Sequence, residues 1–155
     1  LQIQNGDFSL GGARLGTVSA QQKLVQDLSH WFLEKMGTDS LHPGYGSLLD
    51  GGTKPNGQVV DSPIGDDSID FVASAVEDEI RRIVAEYQQR QLQRAKDDRL
   101  RYNKTTLTPG EIIASLDDVG MELIQDKLRV TLFVTTAEGR NVTLDVPLPG
   151  SVIAR

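Results

Sequence analysis

Two histidines, 22 carboxylates and no cysteine set the limits of the chemistry this chain can perform. Without cysteine there is no disulfide, no thiolate zinc site and no thiol nucleophile, which fits a reducing compartment. His30 falls on a predicted helix and His42 in a predicted loop. Neither has a ligand-type neighbour at metal-binding spacing, so no metal and no cofactor is expected. No GxSxG, P-loop or GxGxxG motif occurs, and Gly11-Gly12 lacks the strand–turn–helix context a phosphate-binding loop needs. No catalytic residue can be assembled around a histidine-activated serine or threonine. One reaction stays open on residue types alone: glycoside hydrolysis, which needs only two carboxylates across a cleft. The densest run is Glu77-Asp78-Glu79, on a charge-rich helix where a solvated face is the expectation. Sugar clefts also need aromatic platforms. Of the eight aromatics, Trp31, Phe32, Phe71 and Tyr87 fall on helical stripes that predict core packing.

The scaffold has to come from 155 residues, a length that favours one domain over 1–155. A chain this long can bury about two thirds of its unfolded surface, so it needs no covalent staple. The net charge of −6 and pI near 4.8 argue against nucleic acid as the main partner and against an anionic membrane. The apolar runs are too short to span a bilayer, so no membrane insertion is expected. The opening LQIQNGDF shows no basic region leading into an apolar one, so no secretory signal is expected; it also lacks an initiator Met.

Charge is polarised along the chain. Seven acidic residues and no Lys or Arg lie between Asp61 and Glu79, whereas six basic residues against two acidic ones lie in 88–104. A long helix favours this order, because it offsets the macrodipole. A sharper reading takes Arg90, Arg94, Arg99 and Arg101 as a face that docks on an acidic partner. Glycine is uneven too. Seven of the 15 fall between Gly37 and Gly65, with Pro43, Pro55 and Pro63, which predicts a long, partly disordered connection of functional character over 38–65.

The periodicities give the elements. Leu1, Ile3, Phe8 and Leu10 flank Asn5-Gly6, a weak strand or hairpin. Ser19-Ala-Gln-Gln22 is a capping-box pattern, and Leu24, Val25, Leu28, Trp31, Phe32 and Met36 form one stripe. They predict helix 20–36, closed by Gly37 in a left-handed conformation. A second helix starts near Asp66 or Asp67 and buries Ile69, Val72, Val76, Ile80, Ile83 and Tyr87. Over 88–106 it continues as a polar extension, solvated or waiting for a partner. Thr108-Pro-Gly-Glu111 is another capping box, opening a helical turn over 109–114.

The last third changes to period two. Strands are predicted over 117–125, 127–136 and 140–147, followed by a tail, 148–155. A two-residue loop at Glu138-Gly139 would put apolar residues opposite polar ones. A three-residue loop, Ala137-Glu138-Gly139, pairs Val134 with Val142, Leu132 with Leu144 and Val130 with Val146, placing every apolar side chain on one face. Gly139 then takes the left-handed bulge position. The predicted class is α+β: two main helices packed on a small C-terminal antiparallel sheet, with Phe133 on the opposite face and a free edge at 140–146 or 117–125.

The order of parts adds a resemblance. Residues 12–49, with Val25-Gln26-Asp27-Leu28, the break at Met36-Gly37-Thr38 and above all His42-Pro43-Gly44-Tyr45-Gly46-Ser47-Leu48-Leu49, resemble the opening of the baseplate-wedge, or sheath-initiator, family of phage tails and related contractile injection machines. The shared order runs from about Asp7 to Val146. Many members carry a Glu-Pro-Arg element between the second helix and the sheet; here that region reads Glu86-Tyr-Gln-Gln-Arg90, a basic stretch to Lys104 and Thr108-Pro-Gly-Glu111. The resemblance implies a structural, non-catalytic virion protein of the tail baseplate, assembled in the host cytoplasm in several copies. Its partners would be other baseplate subunits and tail sheath or tube proteins, joined by strand addition. Gly37, His42, Pro43, Tyr45 and Gly46 are its motif residues, with Pro43 and Tyr45 expected to pack. Phe133 and Thr143 join the four arginines as interface candidates. A cell-wall glycosidase and an unrelated intracellular adaptor remain the alternatives.

Overall fold

The computed structural model describes residues 9–11, 14–16, 20–63, 69–124, 127–146 and 148, of which 9–11, 14–16, 69 and 127 are described by backbone alone. The chain is α+β. In order it forms β1 (Ser9–Gly11), β2 (Arg14–Gly16), α1 (Ala20–Leu33), β3 (Lys35–Met36), β4 (Ser47–Thr53), β5 (Val59–Val60), α2 (Ile69–Tyr102), a 3-10 turn at Pro109–Glu111, β6 (Ile113–Ile124), β7 (Lys127–Thr136) and β8 (Asn141–Val146). β1 pairs antiparallel with β2, Ser9 opposite Gly16 and Gly11 opposite Arg14. α1 begins at Ala20, where the spacing predicts it. The expected turn at Asn5-Gly6, the capping residue Ser19 and the expected start of the second helix lie outside the described residues, as do 149–155.

α1 stops three residues before the predicted end. Its last carbonyls find a tertiary partner: Ser47 donates its hydroxyl to the Phe32 carbonyl at 2.7 Å and its amide to the Glu34 carbonyl at 2.7 Å. With those acceptors satisfied by another segment, the chain leaves the helix, and Met36 becomes part of a strand parallel to β4. Gly37 is left-handed, as predicted, with φ +86°, but it ends a strand and not a helix.

The stretch 38–65, expected to be partly disordered, supplies two strands, β4 and β5, of a small three-stranded sheet in the order β3-β4-β5. Its hairpin has the same turn as the C-terminal one. Lys54 donates to the Gln58 carbonyl and Gly57 to the Lys54 carbonyl, as Thr136 does to Arg140 and Gly139 to Thr136. Gly57 and Gly139 take the left-handed position, with φ +85° and +83°.

The C-terminal sheet has the order β6-β7-β8 and the predicted register, with Val134 opposite Val142, Leu132 opposite Leu144 and Val130 opposite Val146. β6 begins four residues earlier than predicted and carries irregularities between Ile113 and Ser115 and between Leu116 and Asp118. The helical turn expected over 109–114 is correspondingly only the 3-10 turn. Glu111 completes its capping motif by accepting from the Thr108 amide at 2.6 Å and hydroxyl at 2.8 Å.

One buried cluster joins α1 (Leu24, Leu28, Trp31, Phe32), α2 (Val72, Val76, Ile80, Ile83, Val84), Leu49 of β4 and the apolar face of β6-β7-β8. Phe71 departs from expectation: it is 56% exposed, on the outer side of the first turn of α2.

Gly46 has φ +103°, and a Cβ there would meet the Glu34 carbonyl oxygen at 2.7 Å and the Met36 nitrogen at 2.9 Å. Gly57 has a similar φ with open space around it. Gly46→Ala should therefore cost at least about 3 kcal/mol in urea denaturation, and Gly57→Ala only about 1–2 kcal/mol of left-handed strain. A second measurement concerns acid. Burial alone would raise the Glu111 carboxyl, but the Thr108 donors and the Lys23 ammonium outweigh it and hold it below its ordinary 4.5. Its stabilising contribution is present above that ordinary value and is lost as pH falls through the lower folded one. Glu111→Gln should remove that part of the acid-side loss in a pH series of denaturation midpoints.

Candidate functional site

An open strand edge is a template for another strand, so the two edges of the C-terminal sheet decide what it can accept. The Thr136–Arg140 hydrogen bond closes the hairpin and fixes the parity of the β7–β8 ladder. In an antiparallel pair, bonded and non-bonded residue pairs alternate. Val142, Leu144 and Val146 therefore bond towards β7, and Asn141, Thr143 and Asp145 direct their amides and carbonyls outward. Among the described residues β8 pairs with β7 alone. Thr143, opposite Phe133, is exposed and lies in the middle of this edge.

The β6 edge is closed at its start. Gln91 of α2, only 5% exposed, accepts from the Ile113 amide at 3.0 Å and donates to the Glu111 carbonyl at 2.6 Å. Gln88 donates to the carbonyls of Ile113 and Ala114 at 3.2 and 3.1 Å. Side-chain amides thus occupy the groups an incoming strand would use, and the irregularities beside them disturb the ladder. β8 is regular along its whole length and carries no such cap among the described residues, whereas β6 becomes regular only from Asp118. Sequence reasoning saw these glutamines only as polarity.

The polar face of the sheet is tied by short side chains. Arg129 and Thr131 bond to Asp145, and hold its carboxyl below the usual range. Thr135 and Ser115 do the same to Asp117. Phe133 sits between them, 40% exposed, its ring over Gly120, where a Cβ would stand 3.3 Å from it. The sheet's own glycine supplies part of the cover that the sequence left unaccounted for.

The His-Pro-Gly-Tyr-Gly-Ser segment lies between the two helices. The Gly46 carbonyl accepts from the Trp31 indole and from Arg82, both at 3.1 Å. Glu79 accepts from the Leu48 amide at 2.7 Å and pairs with Arg82, which also reaches Glu86. Glu79 is 9% exposed, so it is no part of the solvated face expected for 77–79. It anchors α2 to β4. Tyr45 packs on Trp31 with centroids 4.8 Å apart and is half-buried, whereas Pro43, expected to pack, is exposed. His42 is exposed and stabilises its own loop: its Nδ1 lies 2.9 Å from Asp39, whose carboxyl it holds down together with the Leu41 amide.

The four arginines do not act as one face. Arg90 lies over the Trp31 ring, 4.6 Å from its centroid, and 5.6 Å from that of Tyr45. Arg90, Arg94 and Arg101 line a groove of about 580 Å³ with His42; Arg99 is not part of it. A second groove, about 560 Å³, lies between β4, β5 and the start of α2. No group of metal-ligating side chains occurs among the described residues. No described helix is long and apolar enough to cross a membrane. Compared with known proteins, the chain matches no family model, no curated protein and no solved structure.

Removing one partner of a largely buried ion pair leaves an uncompensated charge. Glu79→Ala should lower stability by about 2–3 kcal/mol, short of the cost at a fully buried pair because Arg82 keeps some water contact. Glu77→Ala, which breaks an exposed pair with Arg81, should cost less than about 1 kcal/mol in the same denaturation experiment.

Proposed function

We propose that the chain is a structural protein of a phage or phage-like tail baseplate that binds neighbouring subunits by accepting a strand at the β8 edge. In this reading two main helices back a small C-terminal antiparallel sheet, and the sheet is the working surface. Sheath, tube or other baseplate proteins supply the added strand, and several copies act within one hetero-oligomeric virion assembly built in the host cytoplasm. It works without catalysis and without a cofactor.

The observation that carries the reading is the difference between the two edges. Glutamine side chains block the β6 edge at Ile113 and Ala114, while β8 offers three consecutive outward pairs of backbone groups at Asn141, Thr143 and Asp145. An edge regular along its length, beside one that is capped and irregular at its start, favours addition on that side. The resemblance of the His42–Leu49 segment and of the element order to the baseplate-wedge family supplies the biological setting. Nothing favours a glycosidase over this. Of its three candidate carboxylates, Glu79 is spent on the Leu48 amide and Arg82, and Glu77 is paired with Arg81.

Thr143→Pro removes one outward amide and leaves the apolar face of Val142, Leu144 and Val146 in place. The variant should fold, with a Trp31 emission spectrum like that of the parent, and should be missing from assembled tail particles. Glu77→Ala with Asp78→Ala should be incorporated normally. Normal incorporation of the proline variant together with loss of the carboxylate variant would overturn strand addition at β8.

A further inference from the structure

We propose that the groove between the His42 loop and the last third of α2 is a docking site for an acidic polypeptide segment of a neighbouring protein. It lies on a different element from β8, and stands or falls independently of strand addition.

The arginines divide sharply by partner. Arg81, Arg82, Arg129 and Arg140 each pair with a carboxylate of this chain. Arg90, Arg94, Arg99 and Arg101 form no salt bridge among the described residues, although the chain carries six more acidic than basic groups. Scarcity of carboxylates is therefore not the reason. Three of the four, Arg90, Arg94 and Arg101, face one groove. At 1.5 Å per residue their backbone positions span roughly 16 Å of helix, the length of about five extended residues.

Arg90 is already set for recognition. Its guanidinium plane is held by the Trp31 and Tyr45 rings, and stacking leaves the N–H edge of the fork available to a carboxylate. Because the side chain is ordered beforehand, less rotamer freedom is lost on binding. Arg94 donates one hydrogen bond, to the Thr106 hydroxyl at 3.3 Å, which steadies it. Arg94 and Arg101 also act at longer range on Asp98 and, after the Thr106 donors, help hold its carboxyl below the usual range, without forming a salt bridge to it. Tyr102 adds an exposed ring at the far end.

The same groove disfavours a nucleic acid. Asp97 and Asp98 are interleaved with the arginines, Asp97 accepting from Gln93 and Asp98 from the Thr106 amide and hydroxyl. A uniformly spaced phosphate backbone would be forced against both, on a chain of net charge −6. A peptide can place carboxylates at the arginines and neutral residues at the aspartates.

The test uses the whole chain. Trp31 is its single tryptophan and lies directly under Arg90, so its emission reports on the groove. Titration with a ten-residue peptide in which glutamates alternate with glycine and serine should change that emission and saturate, and the affinity should fall as salt is added. Arg94→Gln with Arg101→Gln should weaken binding at least tenfold with an unchanged denaturation midpoint. Arg129→Gln with Arg140→Gln, which removes the same charge elsewhere, should change it less than twofold. Absence of saturable binding, or equal weakening by the two double variants, would overturn the site. Tighter binding of an oligothymidylate of equal charge would overturn the choice of partner and assign the groove to nucleic acid.

Discussion

The backbone at Gly46 and Ser47 is gripped from both helices at once, and the remaining packing depends on that grip. Ser47 satisfies the end of α1, the Gly46 carbonyl takes donors from Trp31 and Arg82, and the next amide is held by Glu79. A segment approached this closely needs glycine, since any Cβ at position 46 would collide with main chain. Two consequences follow from one knot. α1 is released into β3 at a defined residue, and α2 is locked in register against β4, so its apolar stripe meets the sheet where Val130, Leu132 and Leu144 are buried.

The opposite treatment of the sheet's edges follows from that register. Because α2 is fixed along its length by Glu79 and Arg82, Gln88 and Gln91 arrive at the first residues of β6. A shift of α2 by one turn would carry both amides about 5 Å away and expose the Ile113 edge. The His42–Leu49 segment thus sets α2 in place, while the proposed working surface is at the other end of the chain.

The C-terminal meander was legible because period-two patterns constrain register strongly: a slip at Ala137–Gly139 would have inverted every side chain. The β4–β5 hairpin inside 38–65 was not, since Thr53, Val59 and Val60 are too few to show a period. Its signal was in the turn. Pro55-Asn56-Gly57 places glycine third in a three-residue loop, as Ala137-Glu138-Gly139 does, and the same reasoning applied there predicts a hairpin. α1 was read too long because Met36 continues the helical spacing, while the partner that stops the helix, Ser47, is 15 positions from Phe32. Charge was the least legible property. Glu79 and Arg90 look like their solvated neighbours in sequence; only the approach of β4 and of the Trp31–Tyr45 rings sets them apart.

α2 is one unbroken helix of 34 residues, yet it belongs to two environments. Up to Gln91 its inner side chains are part of the common core. Beyond that point its hydrogen bonds outside the helix are to the chain that follows it, joining Asp98 and Arg94 to Thr106. The spur from Leu92 to Thr106 can therefore open without disturbing the Val76–Ile83 region, as a separate cooperative unit of lower stability. A single helix then contains its own boundary between a rigid body and a yielding arm, and the arginine groove straddles that boundary. Whatever seats there would stiffen the arm, so occupancy would be visible as slowed amide exchange along the distal turns, in a region the partner itself need not touch.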